Sequence, residues 1–498
     1  MHDITTTLID WSRAQFALTA MYHWIFVPLT LGLGFIMAVM HTLYYRSNGD
    51  PQWRKTTRFW QKIFGINFAI GIATGIILEF EFGANWSNYS WLVGDIFGAP
   101  LAIEGVLAFF MEATFVAVMF FGWNSAKIGK GFHLASTWLT IGGATISAVW
   151  ILVANAWMQH PVGMAFNPDT ARHEMTSFAA LVTSPFFINK FFHTVLSSWM
   201  LGATVVAGIA SWYLLKKRET RFALDSIRVG ALVGLVGIVL TIFTGHTSTV
   251  TVASTQPMKF AAMESLQDGG RGVGMLGVPK ILSLLATNSL DGYVPGVNDI
   301  QNGYTAPDGS VALSVQEKMR LGQQAINQLK EYRLAKNAGN EAAAALARAG
   351  LEKNFQYFGY GYFKTPADAV PPVALTFYSF RVMVGLGIFF LALFIVVLVA
   401  ARKNRFENMR WLQKLCIVSI PLAYIASQAG WVVAEVGRQP WAIQDLLPVM
   451  AATSSISVGS VVTTFFIFLL LFTVLLAAEL RIMFKQIGNG PDTGDTHY

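Results

Sequence analysis

Nine long apolar runs dominate this chain and leave few folds open to it. A membrane-crossing helix needs about 20 mostly apolar residues. Runs of that kind fall at about 15–43, 59–79, 99–123, 133–158, 188–215, 223–247, 373–401, 412–434 and 456–484. Inside lipid every backbone N–H and C=O must find a partner within the protein, so such runs read as packed helices. The expected fold is all-α: a polytopic membrane bundle of about nine spans. It divides into 1–247 with six spans, a long polar segment 248–372, and 373–498 with three spans and a short tail. Charged residues are only 13% of the chain, where soluble domains carry about 25%.

The formal net charge of +7 raises nucleic acid as a partner. The basic residues refute it, because they sit in short loops and form no basic face with stacking aromatics. The single cysteine, Cys416, excludes an internal disulfide and any cysteine-rich metal cluster. A haem, if present, must be held noncovalently, since no CxxCH exists. Residues 1–10 lack a basic stretch and a small-residue cleavage site, so they read as the start of span 1 and not as a leader.

Loop charges give the orientation. Arg46, Arg54, Lys55 and Arg58 follow span 1; Lys127 and Lys130 follow span 3. Lys216, Lys217, Arg218 and Arg221 follow span 5, and Arg402, Lys403, Arg405 and Arg410 follow span 7. The stretch from Glu79 to Pro100 has no Lys or Arg. Basic loops stay inside, so the N-terminus and the long segment are expected outside and the C-terminus inside. Long loops are exempt from the rule, so the lysines of 248–372 do not oppose it. Within that segment 314–352 reads as a soluble helix.

Ionisable residues inside spans cost several kcal/mol and are functional candidates by default. His23, His193, Arg381, Met383, Glu104 and Glu435 all fall in the outer half of their spans, with Glu112 deeper and Glu79 and Glu81 ending span 2. A lone membrane His or Glu is as often a hydrogen-bonded packing residue. Several at one depth on different spans argue for a shared centre. His with Met suits a six-coordinate electron-transfer haem, and a second His suits a haem with an open position. Alone, Met383 reads as apolar packing. Arg381 is placed to neutralise haem propionates. Glu104 and Glu112, eight apart, lie about 80° apart around a regular helix. They suit proton relay. Ser147 and Asn155 in span 4 read first as helix–helix hydrogen bonding, which is common in membranes.

Several strings then become recognisable: SRAQFALTAMYHWIFVPLTLG (12–32), GAPLAIEGVLAFFMEATFVAVMFFGW (98–123), ISAVWILVANAWMQHPVG (146–163), KFFHTVLSSW (190–199), SFRVMVGLG (379–387) and GWVVAEVGRQPW (430–441). In order and over nearly the whole chain, they resemble the large subunit of cytochrome bd-type quinol oxidases, of the long-loop branch. The resemblance implies that His193 and Met383 ligate a low-spin haem b, with Arg381 beside it. It implies that His23 and Glu435 ligate two high-spin haems, one haem b and one haem d. Glu104 would sit at the oxygen site. Glu112, Ser147 and Asn155 would continue a proton or haem-supporting network. Arg438 and Trp441 would flank the haems, and Trp431 would assist electron transfer. The long outer segment would bind quinol through Gln256, Lys259 and Glu264; the bland reading of the last two is a solvated salt bridge. One stretch departs from the family, which has a Gly-Asp-x-Ser-Gly-like run where this chain has Gly245-His246-Thr247-Ser248-Thr249.

The implied activity is a terminal respiratory oxidase of the bacterial inner membrane. It would oxidise quinol outside and reduce O2 to water with protons from inside, building a proton motive force without pumping. A second membrane subunit is implied as partner, with a small single-span accessory subunit as a further one. The same residues would also serve a cyanide-tolerant variant with a third haem b in place of haem d. A proton-coupled transporter would need a midplane site and internal repeats, and no repeat is visible. An electron-transfer cytochrome would use only His193 and Met383.

Overall fold

The computed structural model describes residues 2–125, 127–275 and 278–491. Among them nine helices are long and apolar enough to cross a membrane. In chain order, spans 1–9 are Thr7–Arg46, Pro51–Ala84, Ser87–Asn124, Lys130–Gln159, Phe178–Leu215, Thr220–Thr255, Pro366–Arg402, Arg410–Glu435 and Val458–Asn489. The remaining regular structure among the described residues is helices of at most 23 residues and four two-stranded antiparallel strand pairs. The all-α bundle expected from the sequence is the fold.

The helices outrun the apolar runs. Span 6 shows the reason. Residues 248–255 are rich in Ser and Thr and read as loop, yet the helix continues to Thr255. The hydroxyls bond back along it, Thr247 to Phe243 O, Thr249 to Gly245 O, Thr251 to Thr247 O and Thr255 to Thr251 O. A hydroxyl satisfied by its own helix does not need water, so low hydropathy fails to end the helix. The boundary drawn at 248 moves past Thr255. Span 3 starts at Ser87, well before the apolar run at 99, and contains a π-helical turn at Glu104–Phe109.

Spans 5, 6, 7 and 8 pack as a closed ring of four, and span 5 is the most enclosed of all nine. Span 5 also packs on span 1, which in turn touches spans 2, 4 and 9. The contact between spans 1 and 5 is backbone to backbone. A Cβ on Gly32 would lie 2.0 Å from Ser198 O, and one on Gly202 would lie 2.4 Å from Gly32 C. Small residues permit such approaches where lipid removes any hydrophobic drive between helices.

The polar segment between spans 6 and 7 covers one face of the bundle, here called the loop face. It is ordered. Its single expected helix is two, Val315–Asn337 and Glu341–Asn354. The break is local chemistry: Gly339 has φ +69°, and the Asn340 side chain caps the second helix at Ala343 N. The segment is tied to the bundle at two loops. Tyr332 and Lys336 both hold Asp169, beyond span 4. Tyr360 donates to Asp445, beyond span 8, at 2.7 Å.

Candidate functional site

The polar residues of the spans gather at the loop face. Counting from the opposite end of each span at about 1.5 Å per residue, His23, His193, Met383, Glu104 and Glu435 all lie at roughly 29–38 Å. The hydrocarbon core is about 30 Å thick, so the layer sits near one membrane boundary. Glu112 is about 12 Å deeper than Glu104.

The two histidines are held alike. His23 Nδ1 is 3.0 Å from Thr74 Oγ1 on span 2. His193 Nδ1 is 3.0 Å from Thr244 Oγ1 on span 6. In neither ring does Nε2 have a hydrogen-bond partner among the described residues. His193 and Met383 stand on spans 5 and 7, diagonal members of the four-helix ring. Met383 rests on span 8, where a Cβ at Gly430 would lie 3.2 Å from its sulfur.

Glu435 ends span 8 as the hub of a charged cluster. Its Oε1 accepts from Asn155 Nδ2 at 2.9 Å, and its Oε2 pairs with Arg438 Nη2 at 2.7 Å. Arg438 also donates to Ala442 O at 2.7 Å. Lys190 and Lys259 lie within electrostatic range of the same carboxylate. Arg438 and two lysines therefore surround one carboxylate, and Lys190 also sits 5.6 Å over the Trp431 ring. That surplus positive charge suits carboxylate-bearing groups such as haem propionates.

Glu104 accepts from Ser147 Oγ at 2.5 Å, while its Oε2 is buried without a partner among the described residues. Glu112 is also buried, and its Cγ would lie 2.6 Å from a Cβ on Gly143, one turn from Ser147. Both carboxyls thus converge on one face of span 4. A regular helix would have held them about 80° apart. The π turn between them absorbs one extra residue, roughly 100° of rotation, and brings them to nearly one face. Such turns recur at functional sites. Ser147 and Asn155 make interhelical hydrogen bonds, as their packing reading required, and their partners are the two candidate carboxylates.

The loop segment reaches into this layer. Gln256 caps the end of span 6, and helix Pro257–Glu264 follows. Lys259 is buried. Its Nζ donates to Gln159 Oε1 at 2.9 Å and to Ala434 O at 3.1 Å, the residue before Glu435. Burial pushes this lysine down to about 7; Lys190 and Arg438 add to the effect and Glu435 opposes it. Gln256 bonds Gln444 at 3.1 Å. Glu264, almost fully buried, pairs with Arg381 at 2.5 Å. Lys259 and Glu264 are therefore not a solvated pair with each other: each engages a different span. A cavity of about 80 Å³ lies between Lys259, Arg438, Gln444, Asp445, Tyr360 and Lys318. It is polar and large enough for water. Burial raises Asp445, despite its bond from Tyr360, and lowers Lys318.

Trp441 is buried among the loop aromatics, with ring centroids 4.9 Å from Tyr360 and 5.0 Å from Phe363. His246 meets Asn288 at 3.0 Å, and the departing stretch Gly245–Thr249 lies within the helix of span 6. Glu81 is buried and bonded to Thr19 at 2.9 Å. Sequence reading passed over Thr74, Thr244, Lys190 and Gln159. Lys190 carried a signal, a lysine three residues before His193 within an apolar run; a threonine in a span carries none.

A family model for cytochrome bd terminal oxidase subunit I matches residues 11–491. The chain belongs to that family. The oxidase subunit is 42% identical over 505 residues to cytochrome bd-II ubiquinol oxidase subunit 1 of Escherichia coli (strain K12), covering 97% of each chain. It is 33% identical to cytochrome bd ubiquinol oxidase subunit 1 of Bacillus subtilis (strain 168), covering 98% of this chain and 95% of that one. Its fold is shared with the bd oxidase of Geobacillus thermodenitrificans at a TM-score of 0.76 and 24% identity, over 97% of this chain and 99% of that one. The family implies haem cofactors, a quinol substrate, a second subunit and a bacterial inner membrane.

Proposed function

We propose that this oxidase subunit takes electrons from quinol at the loop face, placed outside, and supports reduction of O2 to water with protons drawn from inside. One observation carries the reading: helix Pro257–Glu264 touches both ends of the buried layer. Lys259 bonds the carbonyl beside Glu435, and Glu264 bonds Arg381, two residues before Met383. A quinol held at this helix would give up its electrons beside the candidate iron ligands.

The residues fit haem. Two imidazoles offer free Nε2 atoms, Met383 lies diagonally from His193, and cations outnumber anions around Glu435. His193 and Met383 would hold a low-spin haem b; His23 and Glu435 would each hold a high-spin haem, one b and one d. Bound haems supply one-electron carriage and an iron position open to oxygen. Lys259, held near 7 by burial, can accept a quinol proton and pass it toward the polar cavity and the outside. Arg381 and Arg438 hold anionic groups in place. Ser147 and Glu104 hold a proton at the oxygen side, and Glu112 holds one about 12 Å deeper. The Glu112-to-Glu104 order gives protons a path up from the inner side. Electrons then stay shallow while protons travel deep, so charge separates without a pump. Further proton-carrying groups would come from the second subunit, and a small accessory subunit would complete the assembly.

The test uses the purified two-subunit complex. Reduced-minus-oxidised spectra should show a low-spin haem lost in H193A and a high-spin haem lost in H23A. A far-red band identifies haem d; without it, the third haem is b and the cyanide-tolerant variant is correct. No haem, or no oxygen uptake with a quinol donor, ends the proposal.

A further inference from the structure

We propose that Thr74 and Thr244 are positioning residues that set the donor strength of His23 and His193 toward iron, each acting with the glycine that follows it. This rests on the reading of both histidines as haem ligands.

The two sites repeat one arrangement on different spans. Thr74 Oγ1 lies 3.2 Å from Ile70 O and 3.0 Å from Gly71 O in its own helix. Thr244 Oγ1 lies 3.0 Å from Leu240 O and 3.1 Å from Thr241 O. A hydroxyl has one hydrogen and two lone pairs. With the hydrogen given to a carbonyl, only a lone pair faces the imidazole. Nδ1 therefore carries the imidazole hydrogen, and Nε2 presents its lone pair. The following glycine admits the ring edge. A Cβ would lie 3.1 Å from His23 Cε1 at Gly75, and 3.4 Å from His193 Cε1 at Gly245.

Donation from the far nitrogen fixes the tautomer, orients the ring and raises ligand basicity. A more basic ligand favours oxidised iron. Losing the hydroxyl should favour reduced iron and raise the midpoint potential. The competing account is ordinary helix packing. His41 supplies the control, because its Nδ1 also meets a threonine, Thr137 at 2.8 Å. That ring stacks on Trp123 with centroids 4.9 Å apart and meets the His133 ring edge-on at 4.7 Å, so it is packed as a core ring.

The experiment is a redox titration of each haem band in the two-subunit oxidase, with T74V, T74S, T244V, T244S and T137V. T244V should shift the low-spin haem equilibrium about tenfold toward the reduced form, about 59 mV for one electron. T74V should do the same to one high-spin haem only. The Ser variants should hold wild-type potentials, and T137V should move none. If T244V or T74V assembles poorly, the corresponding alanine variant must show the same shift. Unmoved potentials in the Val or Ala variants overturn the proposal, as do Ser variants that shift like Val, or a shift in T137V. H193A and H23A separate the two failures. If they keep every haem signal, the ligand reading itself is wrong. If each loses its haem while the threonine variants stay at wild-type potential, only this inference falls.

Discussion

Replacing Lys259 with methionine separates a structural lysine from a working one. Methionine keeps most of the length of the side chain and removes its charge. Two stability effects oppose each other. Moving a lysine from 10.5 to about 7 costs its charged form about 5 kcal/mol, at 1.36 kcal/mol per pH unit. Methionine relieves that cost. It also strands Gln159 Oε1 and Ala434 O, at about 1–3 kcal/mol each. The two nearly cancel below pH 7. The sign with pH follows from the lowered folded value. Between about 7 and 10.5 the unfolded chain binds the proton that the folded chain has lost, so wild-type stability rises with pH through that window. The charging cost is full below 7 and gone above 10.5. K259M should lose this rise, and near pH 6 it should inactivate on heating at about the wild-type temperature. Quinol oxidation should behave differently. A hydrogen bond to a charged group contributes about 1.5–3 kcal/mol, so kcat/KM for quinol should fall about 10- to 150-fold. Its change between pH 6 and 8 should flatten. Thermal inactivation and steady-state oxygen uptake with varied quinol measure both. Wild-type kcat/KM in a stable K259M would refute the reasoning, and so would a K259M that inactivates at a much lower temperature than wild type near pH 6.

Four further outcomes follow from the geometry. E264Q leaves Arg381 without its partner. Breaking a buried pair costs about 3–5 kcal/mol, and the 27% exposure of Arg381 reduces this to about 2; E264Q/R381Q should recover part of it in a thermal-inactivation cycle. E104Q should cut oxygen turnover about 10²–10⁴-fold, the scale of one positioned proton carrier, with the low-spin spectrum intact. S147A removes one hydrogen bond to the same carboxyl and should cut turnover only about tenfold. G430A should weaken the low-spin band by pressing on the Met383 sulfur, an overpacking of about 1–3 kcal/mol; an unchanged band would count against Met383 as a ligand.

Nine spans, their all-helical class and the shared depth of His23, His193, Met383, Glu104 and Glu435 could be read from the chain alone. Lipid makes this possible. It forces backbone pairing within each segment and makes every intramembrane charge conspicuous. The family strings around the same residues added roles that spacing could not supply. Three-dimensional packing decided the rest. Span 6 runs past its apolar limit because its hydroxyls bond to their own helix. Glu104 and Glu112 share a face because a π turn shifts the phase between them. Lys259 and Glu264 bond different spans, although they are near neighbours in sequence. Thr74 and Thr244 matter only because spans 2 and 6 bring their hydroxyls to the two imidazoles. Hydropathy records what a segment must avoid, and it carries no record of which neighbour each polar atom meets. Those pairings depend on contacts between distant spans, so only the tertiary structure could assign them.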